Sequence, residues 1–350
     1  MHQVGVYMWR VNMRLGTLLG TLVLTASIYA PVLAQSDWKV TKTLHIGGEG
    51  GWDYVTVDAQ THRLYITRST HTMVIDSGSG QTIAHIPGQK RSHGVAIVPQ
   101  VGRGFISDGG GDGAVVIFDL KTNAVLGSIP AQPDADGIIF DPSSGLVLVV
   151  SGDEGVLMTL KPDIDPKTGK LDPPIDLGGK PEFLAADGKG KVYINLVDKN
   201  EVAVVDMKTR KVTARWSVAP GGSPVGMSMD TKRRLLFIGC RNPQKLIVMS
   251  ADDGKVLADL PIGQGVDATK IDGDLAFAST ADGSLAVARE KSAGKFEIIE
   301  TVKTPPGAKT MGVDPATHTI YLPTSEFEEA KPGTRPTSKP GTFMIVVVSH

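Results

Sequence analysis

Tyr54-Val-Thr-Val-Asp58, Arg63-Leu-Tyr-Ile-Thr67, Thr72-Met-Val-Ile-Asp76 and Gln81-Thr-Ile-Ala-His-Ile86 are four short runs rich in β-branched residues, divided by polar turns. Such runs favour strands, and the Asp, Ser and Gly between them supply turns. Together they make one four-stranded antiparallel sheet. The third run recurs as Val115-Val-Ile-Phe-Asp119, Val156-Leu-Met-Thr-Leu160, Glu201-Val-Ala-Val-Val-Asp206, Leu246-Ile-Val-Met-Ser250 and Leu285-Ala-Val-Ala-Arg289, ending 43, 41, 46, 44 and 39 residues after its predecessor. A repeat of about 40 to 45 residues carrying four strands is the mark of a β-propeller.

A seventh copy opens at Met311-Gly-Val-Asp314, continues through Thr319-Ile-Tyr-Leu322 and reaches its third strand at Phe343-Met-Ile-Val-Val-Val348, without a fourth. Lys39-Val-Thr-Lys-Thr-Leu-His-Ile46, ahead of the first copy, has the alternation to supply it. The expected fold is therefore all-β: a seven-bladed propeller of four-stranded antiparallel blades, closed by an N-terminal strand that completes the last blade. Such closure removes exposed sheet edges.

The composition agrees with one globular all-β domain: 41% hydrophobic residues, with 41 Gly and 22 Pro among 350 residues. Residues 1–34 read differently, with Arg10 and Arg14 followed by the apolar run Leu15 to Ala30 and then Val32-Leu-Ala34. This is the pattern of a signal peptide cleaved after Ala34, leaving 35–350 as the domain. The apolar run is shorter than the roughly 20 residues that span a bilayer, so no membrane span is expected after cleavage. Removing two arginines and no acid leaves 34 basic and 37 acidic residues, a net charge of −3. A periplasmic or secreted bacterial protein is the expectation, and a nucleic-acid partner is not, despite the basic turns Lys208-Thr-Arg-Lys211 and Lys232-Arg-Arg234. Cys240 is the only cysteine, in the apolar run Leu235 to Cys240, so it reads as a buried small hydrophobe.

Two segments depart from the regular repeat. Lys161 to Pro174 lengthens one connection, and its Asp163, Asp165 and Asp172 do not meet the calcium-loop pattern. Residues 325–342 form a long insertion rich in Pro, Lys and Glu between the last two strands, either a functional lid or an excursion.

Leu64-Tyr-Ile-Thr-Arg68 with Thr72-Met-Val-Ile-Asp76, and Lys191-Val-Tyr-Ile-Asn195 with Glu201-Val-Ala-Val-Val-Asp206, resemble the YVTN-type propeller repeat of the YncE-like group. The resemblance spans nearly all of residues 35–350 and implies an exported seven-bladed propeller. It implies no single reaction, because the motif consists of strand and turn positions. Gly104-Phe-Ile-Ser107, Leu146-Val-Leu-Val149 and Leu275-Ala-Phe-Ala278 replace the tyrosine-containing strand in three copies.

Innermost strands of a propeller begin around the mouth of a central channel, so equivalent positions converge there. Counting five residues back from Asp58, Asp141, Asp230, Asp272 and Asp314 gives Asp53, Asp136, Val225, Asp267 and Lys309. The other two copies give Gly94 beside His93, and the Pro181-Glu182 pair. The expected ligand-binding ring is Trp52, Asp53, His93, Asp136, Glu182, Asp267 and Lys309, near Tyr54. Its carboxylates Asp53, Asp136, Glu182 and Asp267 are candidate ligands of a divalent cation such as calcium, with His93 as a candidate base. The bland alternative is that these acids sit in turns, solvated or paired with Arg91 or Lys180. Two functions follow: a monomeric binding scaffold for a small molecule or periplasmic protein, or a metal-assisted, lactonase-like hydrolase.

Overall fold

The computed structural model describes residues 38–329 and 336–350, with the isolated positions 1, 2, 5 and 8. Contacts divide the chain into Met1–Gln35 and Ser36–His350. The expected signal peptide, residues 1–34, lies almost wholly outside the described residues. No helix among the described residues is long and apolar enough to cross a membrane.

The described residues of Ser36–His350 are all-β, built of antiparallel sheets: five of four strands and one of seven. The third strands of the repeat fall where alternation puts them, for example Val156–Leu160, Glu201–Asp206 and Gln244–Ser250. Their terminal acids close the following turns. Asp76 Oδ1 accepts the backbone N–H of Ser79, Asp119 that of Thr122 and Asp206 that of Thr209, each at 2.7 Å. Asp165, in the long connection, accepts from the N–H groups of Lys167 and Thr168 at 2.8 and 2.9 Å, which is turn chemistry as well.

The seven-stranded sheet differs from the expected arrangement. The fourth strand of the first copy and the first strand of the second are one continuous strand, Thr82–Val98. The strand is anchored at both ends of its middle stretch: Pro87 faces His71, and Ser92 faces Ser69 in one neighbour and Asp108 in the other, while Gly88 between them takes a left-handed φ of 92°. The Gln89 amide adds hydrogen bonds to the carbonyls of Ile86 and Pro87.

Strand Lys39–His45 pairs antiparallel with Met344–Ser349, from Lys39 opposite Ser349 to His45 opposite Met344. It is the outer strand of the sheet that also contains Thr319–Thr324 and Gly312–Asp314. Apolar cores fill the spaces between sheets. One joins Leu64, Ile66 and Ile75 to Tyr321, Ile345 and Leu44, so the first and last sheets share a core. Another packs Trp38 against Phe277, Leu285 and Val346. Cys240 lies fully buried in the core with Ile238, Ile247 and Met249, and burial pushes its thiol up to about 12.

Candidate functional site

The first strands of five sheets, or sheet parts, share one irregularity where the candidate residues lie. Register shifts fall between Ser92 and Val95, between Ala135 and Ile138, between Pro181 and Leu184, between Pro224 and Met227, and between Val266 and Ala268. Each is a β-bulge, which bends the strand and re-aims a side chain. The bulges carry His93, Asp136, Glu182, Val225 and Asp267.

Of these, His93, Asp136, Glu182 and Asp267 line one cavity of about 1230 Å³ together with Trp52, Asp53, Tyr54 and Lys309. All seven candidate residues are therefore brought together. The two described arms of the 325–342 insertion form part of the wall through Glu326, Phe327, Ser338 and Lys339. They pair as Phe327 opposite Ser338, with Glu328 N–H on the Thr337 carbonyl at 2.8 Å. The Phe327 ring stands 6.2 Å from that of Trp52.

Arg68 shapes the approach to Trp52 and Asp53. It is 1% exposed, donates to the carbonyls of Glu49, Gly50 and Gly51, and lies 3.7 Å from the centroid of Phe343. Burial lowers its pKa to about 10, and backbone carbonyls plus an aromatic face take the place of a carboxylate. Asp53 is fixed further by Thr310 Oγ1, which donates to its carbonyl at 2.9 Å.

His93 Nδ1 lies 2.7 Å from Asp53 Oδ2 and 3.6 Å from Asp136 Oδ1. One ligating atom from each of these three residues sits within 4.8 Å of the other two. Burial opposes a charge on His93, but the hydrogen bond to Asp53 and the Asp136 charge outweigh it and raise its pKa to about 9. Asp53 is raised by burial, with His93 acting against it. Burial lifts Asp136 well above the carboxylate range, again against His93 and helped by Asp53 and Glu182. Glu182 is pushed up to about 6 by burial and the Asp267 charge, with Arg241 acting against both. The buried atoms Asp136 Oδ1, His93 Nε2 and Trp52 Nε1 have no hydrogen-bond partner.

Asp267 is in a different state. Arg241 and Lys309 both donate to it, one to each carboxylate oxygen, so its charge is already answered. This arrangement removes it from the group whose atoms converge: that group is Asp53, His93 and Asp136, and neither Asp267 nor Glu182 belongs to it. Asp134, which the count from the strand ends passes over, is likewise flanked by Arg91 at 2.9 Å and Lys180 at 3.8 Å. Arg241 also escapes a count along first strands, because it ends the second strand Leu235–Arg241. The mouth thus has an acidic focus beside two basic flanks. Elsewhere, Arg233 pairs with Asp230 and Glu290, and Arg234 with Asp187 and Asp252.

One residue further along the strands, Tyr54 and Phe183 reach towards each other with ring centroids 4.6 Å apart, edge to face. Equivalent positions in neighbouring strands are Gly94, Gly137 and Gly226. A Cβ on Gly94 would come within 2.8 Å of Ile138 and 3.1 Å of Tyr54, and one on Gly137 within 2.4 Å of the Glu182 carbonyl. Small residues there leave room for the two rings, of which Tyr54 lines the mouth cavity.

Fold and site together define an all-β, propeller-like protein with a charged cavity at one end of its sheets. Among solved structures, a chain of Kuenenia stuttgartiensis hydrazine synthase is similar in fold, with a TM-score of 0.67 over 78% of this chain and 92% of its own, at 12% identity. At that identity the likeness shows the fold alone. No family model and no curated protein matches the chain.

Proposed function

We propose that this protein is an exported, seven-bladed β-propeller of the YVTN type that acts as a binding scaffold, holding a small oxygen-rich anion in its mouth cavity through a divalent cation. The seven-stranded sheet counts as two blades joined by Thr82–Val98. The core shared by the first and last sheets, with the outer strand Lys39–His45, supports closure of the ring.

The observation that carries the ligand reading is the contrast within the mouth. Asp267 and Asp134 each have two basic partners, whereas Asp53 and Asp136 share one imidazole, which stands 3.6 Å from Asp136 Oδ1, too far for a hydrogen bond. A divalent ion answers that excess. Two carboxylates and an imidazole suit a transition-series ion such as zinc or manganese better than calcium, which takes six to eight oxygens. Arg241, Lys309, Arg91 and Lys180 would then face the anion's remaining oxygens. A cavity of about 1230 Å³ with converging charged groups favours a small molecule over a protein as occupant.

The test is elemental analysis of protein purified without added metal, with melting curves before and after chelation. Near-stoichiometric divalent metal, a melting temperature lowered by chelator, and loss of both effects in Asp136→Asn are expected. Absence of metal from the purified protein, with no rise in melting temperature on adding zinc or manganese, would sink the cation.

The Glu182 pKa of about 6 favours a second reading, a metal-assisted hydrolase. A carboxylate poised near neutrality on the wall of a metal site fits a general base. His93, raised to about 9 in the metal-free chain and given to the metal in this reading, is the poorer base. Lactone or ester hydrolysis lost in Glu182→Gln with metal content retained would support this reading; activity unchanged in that variant would end it.

A further inference from the structure

Tyr54, Phe183 and the inner strands line a second, partly open cavity of about 370 Å³. Its walls are apolar side chains and strand backbone, including Val55, Ile139, Phe140, Leu184 and Val313. Lys270, on strand Val266–Asp272, is the one charged residue that lines it among the described residues. Its ammonium lies 5.5 Å from the Phe183 ring centroid. Among the described residues it has no ion pair and no hydrogen bond.

Lys270 is unlike the cations of the mouth. Lys309 and Arg241 have Asp267, and Arg91 and Lys180 have Asp134. Burial lowers the Lys270 pKa, which reports poor solvation of its charged form. An aromatic face returns only part of what a cation loses on leaving water. Lys270 keeps partial contact with water, and a counter-anion would add the compensation that the apolar walls withhold.

We propose that this second cavity binds a small monocarboxylate, its carboxylate on the Lys270 ammonium and its alkyl chain against the apolar walls. One cation matches one negative charge, and the volume suits a body of a few carbons. The apolar lining selects an alkyl carboxylate over an inorganic anion, which would gain the charge and leave the walls uncovered. None of Asp53, His93 and Asp136 lines this cavity; of the mouth residues only Tyr54 borders both.

The experiment is calorimetric titration of the full chain with butyrate, alongside melting curves in butyrate and in chloride at matched ionic strength. Wild type, Lys270→Met and Asp136→Asn are compared. Saturable binding is expected in wild type and Asp136→Asn, at least tenfold weaker in Lys270→Met, with melting temperature raised by butyrate and not by chloride. Lys270→Met keeps the apolar stem and removes an unpaired cation, so it should melt no lower than wild type. Should it fail to fold, Lys270→Gln makes the same comparison. No saturable binding to wild type, undiminished binding in the Lys270 variant, or an equal effect of chloride would each overturn the assignment.

Discussion

His93 holds two carboxylates together, and its proton gives the mouth a pH dependence of definite sign. The imidazole is raised from an ordinary value near 6.5 to about 9, so the folded chain binds this proton more tightly than the unfolded chain. The stability it contributes is complete below pH of about 6.5 and is lost as pH rises through about 9. Asp53 and Asp136 are also raised, so they too favour the protonated folded state and act in the same direction. Metal-free protein should therefore melt at progressively lower temperature from pH 6.5 to 9.5, and His93→Gln should flatten that slope. Scanning calorimetry across this range checks it; a wild-type melting temperature that climbs with pH would contradict the geometry. Little of this is legible in the sequence, where His93 is one of eight histidines and its neighbours Asp53 and Asp136 are 40 and 43 residues away.

At the scale of the element, the bulges are what turn strand residues into a site. Gly137 follows Asp136 in one of them, and its Cα faces the Glu182 carbonyl so closely that an added Cβ would lie 2.4 Å from it. Gly137→Ala should cost about 1–3 kcal/mol, the usual range for overpacking, and should weaken metal binding by displacing Asp136 and Glu182 together. Denaturant unfolding with metal titration would test both effects; an unperturbed variant would mean that the inner strands yield more readily than this packing implies. The strands themselves were legible from the alternation of runs such as Glu201–Asp206. The bulges were not, because an extra residue leaves no compositional mark. Counting back from a terminal Asp finds Asp136 and Asp267; the second copy has no such Asp, and only the observed strand end at Val98 moves the count from Gly94 to His93. Continuity of Thr82–Val98 was not legible either, because it rests on long-range pairing of Pro87 with His71 and of Ser92 with Ser69 and Asp108.

On the scale of the whole molecule, the two ends of Ser36–His350 meet in one sheet. Strand Lys39–His45 covers the edge of Met344–Ser349, and Trp38 packs edge to face on Phe277 with ring centroids 4.9 Å apart. Removing residues 38–46 would expose that edge and open a core shared between sheets, so it should abolish soluble expression. A soluble truncated protein with an unchanged melting temperature would refute this dependence. The pairing was foreseeable because the last copy lacks a fourth strand and an alternating segment precedes the first. What lies on the axis was not, since Tyr54 and Phe183 are separated by 129 residues and only the ring geometry sets them edge to face. That contact puts the Tyr54 ring on the border of both cavities. Apart from Tyr54 the two cavities share no lining residue, so each would take its solute on its own terms. Blocking one end with a bulky occupant should leave exchange at the other untouched.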